Sequence, residues 1–301
     1  MSLGVLNNLN AIYAENNLNN TNNGLTKTLQ QLSSGSRINS GADDAAGLSL
    51  VDGLQANQTA LTQSETNATE GVGLLQVADG ALSQVTNLLN RAVTLATEAS
   101  NGTMNTSQLS AANEEYQSIL SEVSNIGSTT TYNGQAVFTG TAVNIYTGDS
   151  TTAGASIDAL TIDSLASNSV GDTGGAMTYT AAAGTTPATI SYAATGSVDL
   201  SATDLTSSGN AQSALTTLNS AISAVAAQDG YIGAQINTLN AVSQVMSTQQ
   251  QNVAAAQNAV QATDYAQATS NLSKYEILSQ TGISALAQAN SLQQEVTKLL
   301  Q

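Results

Sequence analysis

The 301-residue chain contains no cysteine, no histidine and no tryptophan, and it has only one phenylalanine and one proline. Without histidine and cysteine, the usual zinc and iron–sulfur ligands, the thiol nucleophile and the imidazole base are all missing. The lack of cysteine excludes disulfide bonds but does not decide between a cytosolic and an extracellular location. We therefore expect no enzyme activity, no bound metal and no cofactor.

Basic residues are also scarce. Five Lys and Arg stand against 21 Asp and Glu, which gives a formal net charge of −16. Phosphate backbones attract Lys and Arg, so this balance excludes nucleic acid as a partner. No apolar run approaches membrane-spanning length, and the N-terminus lacks the positive region and the apolar core of a secretory signal. We expect no membrane partner, and any export to follow a route that cleaves no such signal.

A seven-residue apolar repeat runs through both flanks of the chain, including a predicted helix over 231–262. Spacing by seven keeps one apolar seam facing a partner helix. In the first flank, Val51, Val72 and Val93 partly fill the second apolar position of the seven-residue repeat, and Gly71 permits a bend in the helix. We predict an antiparallel helical bundle with the seam Leu54, Leu61, Leu75, Leu82, Leu89, Leu239, Met246, Val253 and Val260.

Between the flanks the sequence changes from helical to strand-like. Apolar residues at three- and four-residue spacing over 109–126 predict a shorter helix, with Asn105 or Thr106 as its N-cap. The pair Asn133-Gly134 then predicts a β-hairpin turn. Residues 141–208 are rich in Thr, Ser, Gly and Ala, and we expect a small β-rich insert there; the alternative is that this segment is disordered.

The outermost segments, roughly 1–40 and 265–301, predict helices that are rich in Asn, Gln, Ser and Leu. Such weakly apolar helices bury too little surface to be stable alone, so they need a partner, and the nearest candidate is another copy of the chain. The residues expected on this seam are Leu18, Leu25, Leu29, Leu32, Leu272, Ile283, Leu286, Leu292 and Leu299.

No group of residues in the sequence predicts a catalytic site. Adjacent carboxylates on a helix do not face each other, so the pair Asp43-Asp44 does not match the opposed acids of a hydrolase. Arg37 lies six residues before Asp43, and we expect Arg37, Asp43 and Asp44 to form a structural ion pair.

Both ends of the chain contain distinctive motifs. Those near the N-terminus are LSSGSRINS at 32–40 and DDAAG at 43–47, followed by Tyr132-Asn133-Gly134. Those near the C-terminus are ILSQTG at 277–282, ALAQAN at 285–290 and VTKLL at 296–300. Together these motifs resemble those of bacterial flagellins, and the resemblance extends over about 1–140 and 210–301.

The resemblance implies a mainly α fold in three layers. Residues 1–45 with 258–301 would pair as a terminal coiled coil, the inner layer of a filament. Residues 46–140 with 209–257 would form a helical bundle with a β-hairpin, and 141–208 a small outer insert. It also implies an extracellular filament for swimming, chain ends that are disordered before assembly, and five kinds of partner: copies of itself, an export chaperone, the export apparatus, filament cap proteins and hook-junction proteins.

A host toll-like receptor is one more partner implied by the resemblance. In flagellins that animals recognise, an Arg and a Leu four residues apart on the long helix and a Glu on the next helix contribute to the contact. The matching positions here are Arg91, Leu95 and Glu115.

Two other functions fit parts of the sequence. A hook–filament junction protein shares the N-terminal motif and a similar length, although the Ala-Gln-Ala-Asn tail favours flagellin. An adhesin-like binding module, with the polar insert carried on a helical stalk, is the second alternative. An enzyme is the weakest reading, because roughly 65 residues of insert without histidine are too few for a hydrolase.

Overall fold

The structure is a computed structural model, and it describes residues 8–148, 157–170, 176–180, 189–193 and 197–299. Five helices account for most of these residues: α1 (Leu9–Ser34), α2 (Ala45–Ser100), α3 (Thr106–Thr129), α4 (Ser208–Gln261) and α5 (Tyr265–Leu299). Six short strands lie between α3 and α4: β1 (Thr131–Tyr132), β2 (Gln135–Ala136), β3 (Ala142–Tyr146), β4 (Ile157–Thr161), β5 (Ala176–Thr180) and β6 (Thr189–Ala193). The predicted mainly α fold class is confirmed.

Helix α2 carries the predicted apolar repeat over 56 residues and runs through Gly71 without interruption. Within it, Leu61, Leu75, Leu82 and Leu89 are each no more than 1% exposed, whereas Leu54 is half-buried. Of the residues predicted to fill the second seam position in part, Val51 is buried, and Val72 and Val93 are half-buried. A second buried seam consists of mostly small residues, three positions after the Leu and Ala residues of the first: Ser64, Gly71, Ala78, Val85, Ala92 and Ala99.

Helix α4 begins at Ser208, 23 residues before the predicted start at 231. Its N-terminal half is rich in Ala, which forms helices readily but contributes little to an apolar pattern, and in polar Ser. The predicted seam residues Leu239 and Met246 are buried, and Val253 and Val260 are half-buried. A second buried line contains Ala214, Ala221, Gln228 and Gln235, so two polar side chains occupy core positions of this helix.

Helices α2 and α4 pack antiparallel. Gly71 lies so close to α4 that a Cβ atom there would stand 3.1 Å from Leu239 Cδ1. Gln250 Nε2 donates a hydrogen bond of 3.1 Å to Glu65 Oε2, so the later part of α4 lies against the earlier part of α2. The antiparallel packing predicted from the heptads is therefore present in the structure.

Local capping and turn signals explain the segment around α3. Asn105 is the N-cap of α3: its side chain accepts from Gln108 N, and the Gln108 side chain accepts from Asn105 N. After α3, the chain reverses between β1 and β2 at Asn133 and Gly134, whose φ angles of 49° and 76° suit a two-residue hairpin.

The insert contains two antiparallel strand pairs, β3 with β4 and β5 with β6. The chain just after β3 is attached to α2, because Ser64 Oγ donates to Gly148 O at 2.6 Å and Asn67 Nδ2 donates to Tyr146 O at 3.0 Å. Pro187 and the glycine-rich stretch 171–175 lie outside the described residues. The pairing of β3 with β4 and of β5 with β6 agrees with the small β-rich insert that the sequence predicts.

The chain divides into two compact units. The first comprises residues 1–56 and 252–301, and the second comprises residues 57–251. The described parts of the insert belong to the second unit. The three-layer division implied by the family resemblance stays a prediction. None of the helices in the described ranges is long and apolar enough to cross a lipid bilayer.

Candidate functional site

The terminal helices α1 and α5 pair closely in the first unit. A Cβ atom on Gly24 would stand 2.7 Å from the Tyr275 ring, and one on Gly282 would stand 3.2 Å from Leu18 Cδ1. At the far end of the pair, Asn8 Nδ2 donates to the carbonyl oxygen of Ala289 at 2.9 Å. These contacts show an antiparallel pair in which glycines on each helix receive large side chains from the other.

This pairing leaves much of the predicted terminal seam open to solvent. Leu18, Leu25, Leu32, Leu272 and Leu286 are half-buried between the helices. Leu29, Ile283 and Leu292 are 47%, 57% and 50% exposed, and the Leu299 side chain lies outside the described residues.

Further large apolar side chains on the same two helices are exposed as well. We call the whole set the open face; its members are Leu9, Ile12, Tyr13, Leu29, Tyr265, Ile277, Leu278, Ile283 and Leu292. Many exposed large apolar side chains on one helix pair are typical of an interaction surface. Scattered single apolar residues need no such explanation, but here they recur along both helices of one pair.

The predicted ion pair of Arg37 is present with Asp44 but not with Asp43. Asp43 pairs with Lys27, with Nζ to Oδ1 at 2.8 Å, whereas Arg37 stands 4.0 Å from Asp44. The hydrogen bond from Lys27, followed by the backbone N–H of Asn39, lowers the pKa of Asp43 to about 2. The prediction missed Lys27 because this residue lies on α1, sixteen positions before its partner.

The three residues matched to the receptor contact do not share one surface. Arg91 and Glu115 form an ion pair, with Nη2 to Oε1 at 2.7 Å, and both side chains are about half exposed. Leu95 is only 3% exposed, because it lies on the buried face of α2. The structure therefore brings Arg91 and Glu115 together at the surface and keeps Leu95 in the core.

Negative charge is concentrated in the second unit. Residues 57–251 contain 14 acidic residues and a single basic one, Arg91, which Glu115 already engages. In the same unit Asp229 lies against Asp79 across α4 and α2. Partial desolvation, together with the hydrogen bond and the charge of Asp79, raises the pKa of Asp229 to about 6.

Replacing Asp229 with asparagine is expected to stabilise the second unit at neutral pH. The folded state binds the Asp229 proton more tightly than the unfolded state, so this group favours folding as pH falls from about 6 towards 4 and opposes folding above that range. After allowance for its solvent-exposed position, we expect Asp229→Asn to add about 1 kcal/mol at pH 7.5, or about 2–4 °C in Tm. Thermal unfolding followed by circular dichroism between pH 4 and 8 measures this effect.

Glu122→Gln is the matched control for Asp229→Asn, because it removes one negative charge from an exposed position of α3 in the same unit. It should leave the slope of Tm against pH between 4 and 6 unchanged, whereas Asp229→Asn should flatten it. A lower Tm for Asp229→Asn at pH 7.5, or an unaltered slope, would contradict the assignment.

Two family models match the chain: the bacterial flagellin N-terminal helical region over residues 5–143 and the bacterial flagellin C-terminal helical region over residues 215–300. The chain belongs to the flagellin family. Flagellin of Listeria innocua serovar 6a is 33% identical over 294 residues, covering 97% of this chain and 98% of its own. The flagellar filament 33 kDa core protein of Treponema phagedenis is 29% identical over 300 residues, with the same two coverages.

Among solved structures, the crystal structure of Bacillus cereus flagellin matches with 23% identity and a TM-score of 0.44, covering 64% of this chain and 94% of that one. Membership of the flagellin family confirms the predicted function as a filament subunit. This flagellin is a structural subunit of the bacterial flagellar filament, and it serves motility. Filaments built by its relatives are extracellular.

Proposed function

We propose that this flagellin polymerises by burying the open face of α1 and α5 against the terminal helices of neighbouring subunits. The observation that carries the proposal is the exposure of Ile277, Ile283 and Leu292, at 64%, 57% and 50%, on a helix pair that already packs closely. Each buried Å² of this surface contributes about 25 cal/mol to association. Head-to-tail contacts between identical subunits that never close on themselves produce an open filament.

The layered arrangement is part of the same proposal. Residues 1–45 with 258–301 form the filament core, residues 46–140 with 209–257 surround it, and residues 141–208 face solvent. The distribution of charge supports this order, because the unit containing the insert has 14 acidic residues and one basic residue, a net charge of −13, whereas the terminal unit has seven acidic and four basic residues, a net charge of −3. Negative charges on neighbouring subunits repel one another least when they lie far from the filament axis and are surrounded by counterions.

The open face also explains why further partners are needed before assembly. An apolar surface of this kind aggregates unless it is covered, so we propose a flagellar export chaperone that shields it. Passage through the export apparatus needs no cleaved signal, and filament cap and hook-junction proteins would meet the same surface at the two filament ends. No catalytic activity is proposed, in keeping with the lack of histidine and cysteine.

Recognition by a host toll-like receptor is a secondary proposal. The exposed ion pair of Arg91 with Glu115 offers a charged contact on the second unit. Leu95 would act only by supporting the α2 surface from within, since it is buried in the subunit. Such recognition is a property of the host and separate from filament formation.

Seeded elongation at varied ionic strength tests the proposed polymerisation. Purified subunits should elongate filament seeds faster as NaCl rises from about 10 to 150 mM, because the screening length falls from about 30 to 8 Å and repulsion between subunits of charge −16 weakens. Sucrose at matched osmolarity is the control and should not change the rate. A rate that falls steadily over this range would contradict the charge argument, and no elongation at any salt would contradict the function.

A further inference from the structure

The connection between α1 and α2 and the connection between α4 and α5 are joined to each other. Ser36 and Ala262 form an isolated antiparallel bridge, and Thr263 N donates to the carbonyl oxygen of Gly35 at 3.1 Å. We call the two segments, residues 35–44 and 260–264, the clasp. The clasp contains most of the N-terminal motif that marks the resemblance, and polymerisation through the open face gives that motif no role.

Within the clasp, Arg37 binds the end of α4. Its backbone N–H donates to Gln261 O at 2.7 Å, and its guanidinium Nη2 donates to Val260 O at 3.0 Å. Helix C-termini leave their last carbonyl groups without internal partners and carry partial negative charge. Two of these carbonyl groups of α4 are therefore satisfied by one cationic residue from the other end of the chain.

Helix α4 has no comparable cap in its own sequence. Its last turn contains no basic residue, and Ala262 and Thr263 follow where many helices have a glycine in the left-handed region. The next helix, α5, begins almost at once, at Tyr265. Its N-cap is Asp264, whose Oδ1 accepts a hydrogen bond of 2.9 Å from Ala266 N. Because the two helices follow each other so closely, the residue at which α4 ends determines how α5 is rotated about its own axis.

Other contacts hold Arg37 beside the end of α4. Gln31 Nε2 donates to the Arg37 carbonyl oxygen at 2.9 Å. Asp43 is engaged by Lys27 at 2.8 Å, and Asp44 caps α2 by accepting from Gly47 N at 2.8 Å. Arg37 Nη2 therefore has two partners, the nearer Val260 carbonyl oxygen at 3.0 Å and the Asp44 carboxylate at 4.0 Å.

We propose that Arg37 is a positioning residue that caps α4 from the opposite end of the chain and so fixes the register in which α1 and α5 pair. That register is tight, because Gly24 receives the Tyr275 ring and Gly282 receives Leu18. A frayed or extended last turn of α4 moves the start of α5 and removes both fits. The assembly part of this inference rests on the proposed polymerisation; the capping part does not.

Three variants test the role of Arg37. In Arg37→Gln, amide exchange at residues 257–262 should rise at least tenfold in filaments grown from seeds, and seeded elongation should fall at least tenfold. Arg37→Lys should recover part of both losses, since its ammonium keeps the charge and one donor at the helix end. Arg91→Gln is the control, because it removes one exposed positive charge from the other unit and should leave both measurements unchanged.

Several results would overturn the proposal: no protection at 257–262 in wild-type filaments, wild-type exchange there in Arg37→Gln filaments, or equal losses in Arg37→Lys and Arg37→Gln. Equal losses in Arg91→Gln would show a general charge effect and would overturn it too. If the wild-type subunit itself fails to elongate seeds, the proposed polymerisation falls, and the same exchange comparison on the free subunits then decides whether Arg37 caps α4.

Discussion

Replacing Gly127 with alanine is expected to lower the free energy of unfolding of the second unit by about 3 kcal/mol or more. Gly127 is buried on α3, and a Cβ atom there would overlap the carbonyl oxygen of Leu165 and stand 2.8 Å from its carbonyl carbon. A backbone group cannot rotate away as a side chain can. The segment cannot shift easily either, because Ser167 N donates to Ser124 Oγ at 2.8 Å.

Thermal unfolding by circular dichroism measures the effect of Gly127→Ala, and the expected fall in Tm is about 6–12 °C. Gly80→Ala is the matched control, since Gly80 lies within α2 and no heavy atom lies within 4 Å of the Cβ it would gain. That control should gain up to about 1 kcal/mol from improved helix propensity. A Tm within 2 °C of the wild type for Gly127→Ala would show that the close approach of Leu165 to α3 is wrong.

Ile283→Glu is expected to abolish filament elongation while leaving the isolated subunit folded. Ile283 is 57% exposed in the subunit, so a polar replacement there costs folding no more than about 0.5 kcal/mol. In a filament the new carboxylate would be buried against a neighbour without a partner, at a cost of several kcal/mol. A loss of about 3 kcal/mol raises the concentration needed for elongation roughly 100-fold.

Ala202→Glu is the control for Ile283→Glu, because it adds the same charge to an exposed position of the insert, outside the open face, without removing apolar surface from that face. It should elongate seeds at a rate close to that of the wild type, particularly at 150 mM salt, where exposed charges are screened. Equal losses in both variants would mean that added charge, and not the burial of Ile283, prevents assembly. Full elongation by Ile283→Glu would exclude Ile283 from the contact.

The helices could be predicted from the sequence where large apolar residues mark the seam. Leu75, Leu82 and Leu89 recur every seven residues, and the structure buries all three. The small residues of the second seam, such as Gly71 and Ala78, escaped prediction because Gly, Ala and Ser also occur on exposed faces. Their role appears only when the partner helix is in place and approaches closely.

The contacts of the clasp could not be predicted, for a different reason. Six residues separate Arg37 from Asp43, which favoured a local ion pair, but Asp43 pairs with Lys27 from the preceding helix. Arg37 donates instead to the carbonyl oxygen of Val260, 223 positions away. Backbone carbonyl groups carry no residue-specific signal, so a sequence pattern cannot identify a cap that arrives from the far end of the chain.

Thiol labelling at position 283 tests most directly whether identical neighbours cover the open face. Because the chain contains no cysteine, Ile283→Cys provides a single reactive group, and Ala202→Cys in the exposed part of the insert provides the control. We predict that a maleimide reacts with both variants as free subunits, and in assembled filaments only with Ala202→Cys. Equal reaction of Ile283→Cys in subunits and filaments would contradict burial of the open face by neighbouring copies.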